Sequence, residues 1–219
     1  MLDPGGNTVK GSTLKYGVLA AALMGAVAGV QAAGIPEFEP NDTAATAQNV
    51  DGNFTLDADA NITDSTTVPH VSVSATGDST NDFYRFTSAA GGRVIVDIDA
   101  NSFDSEIGIW DAGGTLLSNN DDNAGDPGSN GFASYLDINL LGPGVYTVGV
   151  CQFNCEFGNS FAITGNPVPD GASYTLHVSH VTANIVYEER AVPALGLSGL
   201  ALLAGALGVA GFVRARRRD

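Results

Sequence analysis

The sequence predicts an all-β fold: an antiparallel two-sheet β-sandwich of the jelly-roll kind, set between an N-terminal signal helix and a C-terminal transmembrane helix. Three observations predict it. Short alternating strand patterns recur along the chain, separated by Gly, Asn and Asp turns. No segment between residues 34 and 190 carries a persuasive helical period. An uncharged apolar run lies near each end.

The strand patterns come in order. His70-Val-Ser-Val-Ser74 alternates, and Asp82-Phe-Tyr-Arg-Phe-Thr87 is short and aromatic. Arg93 to Asp99 places Val94, Val96 and Ile98 on one face and Asp97 and Asp99 on the other. Ile107 to Trp110 leads into the turn Asp111-Ala-Gly-Gly114, then Thr115 to Leu117. Tyr135 to Leu140 meets the turn Gly142-Pro-Gly144, followed by Val145 to Val150 and finally Tyr174 to Val178. Asn119 to Gly131 and Ala162 to Gly171 are expected as polar loops. Many short strands with such turns are the signature of a sandwich. No internal repeat is apparent.

The ends are processing and membrane signals. Lys10 and Lys15 precede an uncharged stretch, Tyr16 to Pro36, whose apolar heart is Gly17 to Val30, and small residues follow at Ala32 and Ala33. This is the layout of a secretory signal over residues 1–33. An uncleaved anchor is the alternative, although the run is short for a span. Near the other end, Val192-Pro193 precedes 20 uncharged residues, Ala194 to Val213, and then Arg214, Arg216, Arg217 and Arg218. At ~1.5 Å per residue, 20 residues cross a bilayer core. A basic cluster stays cytoplasmic, so residues 34–190 are expected outside.

That exported part holds 22 of the 24 acidic residues and three of the nine basic ones, for a formal charge of −19. Such a field opposes nucleic acid and anionic membrane surfaces. Cations, basic surfaces or neutral glycans suit it as partners; simple solubility is the plainer explanation. Self-repulsion of this size favours neutralisation by a divalent ion, and carboxylates with amide carbonyls are ligands that Ca2+ takes. Cys151 and Cys155 are spaced C-x3-C. In an oxidising compartment such a pair is expected to form a disulfide pinning a small loop. It lacks the further soft ligands of a structural metal site.

The tail resembles the tripartite sorting signals of exosortase-type systems, of the PEP-CTERM and IPTL-CTERM kind, through Val192-Pro-Ala-Leu195, the apolar helix and the terminal arginines. Val-Pro in place of Pro-Glu-Pro is a departure and leaves the cognate enzyme open. The resemblance implies a sorting or processing enzyme of the inner membrane as partner and a Gram-negative-type bacterium that makes extracellular polysaccharide. An ordinary single-pass anchor through 194–213 is the alternative.

Between the ends, a second resemblance runs from Glu37 to Ser179. Glu37-Phe-Glu-Pro-Asn-Asp-Thr43 opens the domain and Gly77-Asp-Ser-Thr-Asn-Asp-Phe-Tyr-Arg-Phe86 follows. The valine strand, Phe103 to Asp111 with its Gly-Gly turn, and Gly142 to Val148 come in the same order. This arrangement resembles the bacterial pre-peptidase C-terminal (PPC) domain, and the single-domain exported proteins of the DVUA type. The resemblance implies a non-catalytic β-sandwich, often appended to secreted enzymes, with calcium-binding or matrix-binding members. It implies metal ligands at Glu37, Glu39, Asn41 and Asp42, with Asp82 just before the aromatic strand. The family's second aspartate falls on Ser79 here, with Asp78 one step off. Asn41-Asp42 as a turn cap is the alternative.

Catalysis finds little support. G-x-S-x-G, H-E-x-x-H and P-loop motifs are missing. His177 and His180 are three apart and should point to opposite faces, and His70 lies in an exposed strand pattern. Asp97/Asp99 and Asp104/Glu106 are carboxylate pairs expected on exposed strand faces, although a glycosidase pair has the same composition. The Asn119–Asp126 loop does not fit an EF-hand: with Gly125 at the turn, Ala124 and Gly131 fall where ligands belong. Trp110 is expected in the core; Phe153 and Phe157 could stack on sugar rings. The expectation is therefore three segments: a signal peptide over 1–33, a PPC-like domain over 34–190 and a sorting tail over 191–219. The chain is read as a non-enzymatic, calcium-stabilised protein of the cell surface or extracellular matrix, reached through an inner-membrane intermediate, with extracellular polysaccharide as a partner. The competing readings are a secreted hydrolase accessory or carbohydrate-active protein and a permanently anchored adhesion module.

Overall fold

A computed structural model describes residues 34–123 and 127–185. The signal segment and the tail, with Val192, Pro193 and the terminal arginines, lie outside the described residues.

The described residues form twelve strands: β1 (Ile35–Pro36), β2 (Gln48–Asn49), β3 (His70–Thr76), β4 (Asp82–Ser88), β5 (Gly92–Asp99), β6 (Ser105–Trp110), β7 (Leu116–Asn120), β8 (Tyr135–Leu140), β9 (Gly144–Gln152), β10 (Cys155–Gly158), β11 (Ala162–Gly165) and β12 (Ser173–His180). One sheet has the order β1-β3-β12-β5-β8 and the other β2-β4-β9-β6-β7; β10 and β11 form a separate hairpin. Without the two-residue edges, the eight long strands lie 1-8-3-6 in one sheet and 2-7-4-5 in the other, the order of a jelly roll. The long strands pair antiparallel, as expected. Two short parallel pairs, β1 with β3 and β2 with β4, make the sheets mixed.

Alternation decides which face is buried. Val71, Val73, Val94, Val96, Ile98, Leu176 and Val178 of the first sheet meet Tyr84, Phe86, Ile107, Ile109, Val148 and Val150 of the second. His180 joins this core through the Phe86 ring and a 2.9 Å contact with Ser88 Oγ, while His177 faces the other way, as the spacing requires.

The outer faces depart from expectation. Trp110 is fully buried, but in a second cluster on the outer face of the second sheet, with Phe83 and Ala47. Gly108 and Gly149 are cross-strand partners and leave that face flat. The β10–β11 hairpin settles on it: a Cβ on Gly108 would stand 2.5 Å from the Phe157 ring, and one on Gly149 2.8 Å from Ile163. Residues 162–165, expected as loop, therefore form a strand. Phe157 packs on Trp110 rather than presenting a free ring; Phe153 is exposed.

The outer face of the first sheet is likewise covered. Asp97, Asp99 and His70 were expected on exposed faces, and all three are buried. Thr55 exchanges backbone hydrogen bonds with His70, and Gly128 lies against the Asp99 carboxylate. Long connections thus supply a layer that strand alternation cannot reveal.

Candidate metal centre

The domain entry is tied to both sheets. β1 pairs with β3, and its direction continues into Glu37, whose backbone N–H donates to Ser74 O at 3.0 Å. The Glu37 carboxylate accepts from Thr76 N–H at 2.9 Å, from Asn41 Nδ2 at 2.9 Å and from the Tyr84 hydroxyl. The chain then turns: Asn41 N–H donates to Glu39 Oε2 at 2.8 Å, and Asn41 O accepts from Phe83 N–H at 2.9 Å. This last bond sets the entry segment beside the start of β4, where Asp82 sits.

The six residues singled out in the sequence converge here. Glu37, Glu39 and Asp82 form one group and Glu39, Asp42 and Asp78 another, each with carboxylate oxygens within 4.8 Å of one another. Glu39 joins the two. Asn41 and Asp82 are both 0 % exposed. Asn41 Oδ1 and Asp82 Oδ1 are buried with no hydrogen-bond partner among the described residues, as is Asn81 Oδ1, which the sequence did not single out. Ser79 takes a positive φ of 75°, and the Asp78 side chain reaches the group that Ser79 does not. Asp78 Oδ1 also accepts from Thr80 N–H at 3.0 Å and from its hydroxyl at 2.6 Å.

The electrostatics match the crowding. Burial, with Glu37, Glu39 and Asp78 adding repulsion against a hydrogen bond from Tyr174, pushes Asp82 up to about 8. Burial and the neighbouring carboxylates also raise Glu39, against a backbone hydrogen bond from Asn41. Of the described arginines, Arg93 is engaged with Asp137 at 2.9 Å. Five carboxylates and an amide oxygen, two of the donor atoms buried and unsatisfied, have the chemistry of a hard-cation site.

A pair of tyrosines completes the arrangement, and sequence reasoning missed both. Tyr84 of β4 and Tyr174 of β12 point into the core from opposite sheets, and their hydroxyls are 2.7 Å apart. Both lie in predicted strands; only the pairing of sheets shows that their polar tips meet Glu37 and Asp82.

Elsewhere, the sulfurs of Cys151 and Cys155 lie at disulfide distance, with Cα atoms 6.4 Å apart. The loop after β7 brings Asp121 and Asp122 to Asp104, a grouping the sequence did not indicate. Burial and repulsion from Asp122 raise both Asp104 and Asp121.

Comparison with known proteins agrees with the PPC resemblance read between the two ends of the chain. Residues 80–152 match the family model described as the bacterial pre-peptidase C-terminal domain. Among solved structures, the chain is similar to the pre-peptidase C-terminal domain of a Bacillus anthracis collagenase, at 14 % identity and a TM-score of 0.36, covering 65 % of this chain and 99 % of that one. It is similar also to the periplasmic g-type lysozyme inhibitor PliG of Aeromonas hydrophila (19 % identity, TM-score 0.33, 52 % and 85 % covered) and of Salmonella Typhimurium (20 %, 0.33, 61 % and 98 %). No curated protein matches the chain.

Proposed function

We propose that this chain is a non-catalytic, exported PPC-type domain, stabilised by calcium and delivered to the cell surface or extracellular matrix. The observation that carries the calcium reading is the pair of buried, unsatisfied oxygens, Asn41 Oδ1 and Asp82 Oδ1, beside four further carboxylates. Glu37, Glu39, Asn41, Asp42, Asp78 and Asp82 would hold the ion. Bound calcium would supply the positive charge that offsets their repulsion. Glu37 and Asn41 fix the entry segment on β3 and β4, so ordering this corner locks the segment across both sheets.

The delivery rests on the sequence: the signal over 1–33, Val192-Pro193, the apolar run to Val213 and the arginines. Cleavage near Val192-Pro193 by an inner-membrane processing enzyme would release the domain, and its acidic surface suits a neutral polysaccharide matrix.

Two measurements test this. Melting the purified protein in millimolar calcium and in excess chelator should show stabilisation of about 2.7 kcal/mol at a hundredfold excess over Kd. Equal melting temperatures, or equal stabilisation by monovalent salt, would exclude the site. The intact mass of surface material should end near residue 192; retention of 194–213 would make the tail an anchor.

A further inference from the structure

We propose that Asp97, Asp99 and His177 form a second metal site, distinct from the calcium centre and suited to a divalent transition ion of the zinc type. Asp97 and Asp99 project from the outer face of β5, and His177 of β12 is the cross-strand partner of Asp97. The ligand atoms of all three lie within 4.8 Å of one another, at exposures of 2 %, 1 % and 2 %.

Two further observations separate this group from a chance acidic cluster. Asp99 Oδ1 is buried with no hydrogen-bond partner among the described residues. His177 Nε2 stands 3.3 Å from Asp99 Oδ2, close but not aligned as a hydrogen bond, so Nε2 is also unsatisfied. An imidazole nitrogen and a carboxylate oxygen bound to one tetrahedral ion at about 2.0–2.2 Å are separated by roughly 3.3–3.5 Å. The observed separation is of that size.

The second nitrogen is held as a metal-bound histidine requires. Nδ1 lies 2.7 Å from Ser72 Oγ on β3. With Nδ1–H donating to Ser72, the Nε2 lone pair faces the carboxylates, the tautomer that metal ligation needs. Two acceptors, Nε2 and Asp99 Oδ2, then face each other, and a cation between them removes the conflict. Gly128 closes the site: at φ 94°, a Cβ there would stand 2.4 Å from Asp99 Oδ2. One nitrogen with carboxylate oxygens favours zinc or a similar first-row ion over calcium, which takes oxygen ligands. As a Ser-His-Asp triad the group is ill-formed, because no aligned carboxylate orients the imidazole.

The test is calorimetric titration of chelator-treated, dialysed full-length protein with Zn2+ in saturating Ca2+, followed by thermal melts. One Zn2+ per chain should bind and raise the melting temperature. H177Q and D99N should each weaken binding at least 100-fold, S72A by 10–100-fold, and D82N should leave it unchanged. Absence of a zinc isotherm in the wild-type protein would overturn the proposal, leaving only the buried contact between His177 and Asp99. So would an H177Q variant of native circular dichroism that still binds one Zn2+ with wild-type affinity. The calcium reading stands or falls separately, since its ligands are not shared.

Discussion

The hydroxyls of Tyr84 and Tyr174 meet 2.7 Å apart in the core, one from each sheet, and the contact continues to a carboxylate on either side. Tyr84 reaches Glu37, and Tyr174 lies 2.5 Å from Asp82. Each hydroxyl donates to its carboxylate. Burial, with repulsion from Glu37, Glu39 and Asp78, pushes Asp82 up to about 8, so it holds a proton at neutral pH. Replacing Tyr174 by Phe leaves buried oxygens unsatisfied and should cost about 1–3 kcal/mol, read as a lower urea midpoint in chelator.

The same protonation gives a pH dependence. Asp82 is raised in the folded state to about 8, from an ordinary value of 3.8. The native state therefore binds more protons than the unfolded state between those values, and stability falls as pH rises through the window. The contribution is complete below about pH 4 and lost above about pH 8, with a slope of at most ~1.4 kcal/mol per pH unit. In chelator, unfolding free energies measured at several pH values should show a flatter decline for D82N than for the wild-type protein. Parallel curves would mean that Asp82 is ionised.

Gly108→Ala tests the packing of the β10–β11 hairpin. The added methyl would meet the Phe157 ring at 2.5 Å, and Phe157 is wedged on Trp110. Overpacking of this kind costs about 1–3 kcal/mol. Trp110 fluorescence should shift to the red as the hairpin lifts, while the calcium-dependent rise in melting temperature proposed above should persist, because the proposed metal centre lies elsewhere.

Reduction of Cys151–Cys155 should cost only roughly 2 kcal/mol, since the closed loop is short. Thiol titration of unfolded, unreduced exported protein should find no free thiols, and the C151S/C155S double variant should fold.

The strand patterns predicted the eight long strands, because side-chain alternation is local. The ligand set that the family resemblance implies lies in two segments far apart in the chain, and the fold sets them side by side. Ala162 to Gly165 was missed as a strand because its partner, Cys155 to Gly158, and the flat Gly108/Gly149 surface beneath it are not visible in its own composition.

What the sequence by itself determined was the class of fold, the faces of each strand and the acidic segments at the entry and before β4. What only the tertiary structure decided was which polar groups share a buried space. Asp97 and Asp99 have the alternation of a solvent-facing pair, yet the covering connections remove them from water and set them beside His177. Tyr84 and Tyr174 lie 90 residues apart, and the order of strands in the two sheets brings their hydroxyls together. Alternation fixes the side of the sheet on which a residue lies; the covering layer and the facing sheet fix its dielectric surroundings and partners, and those set its protonation and its capacity to hold a cation.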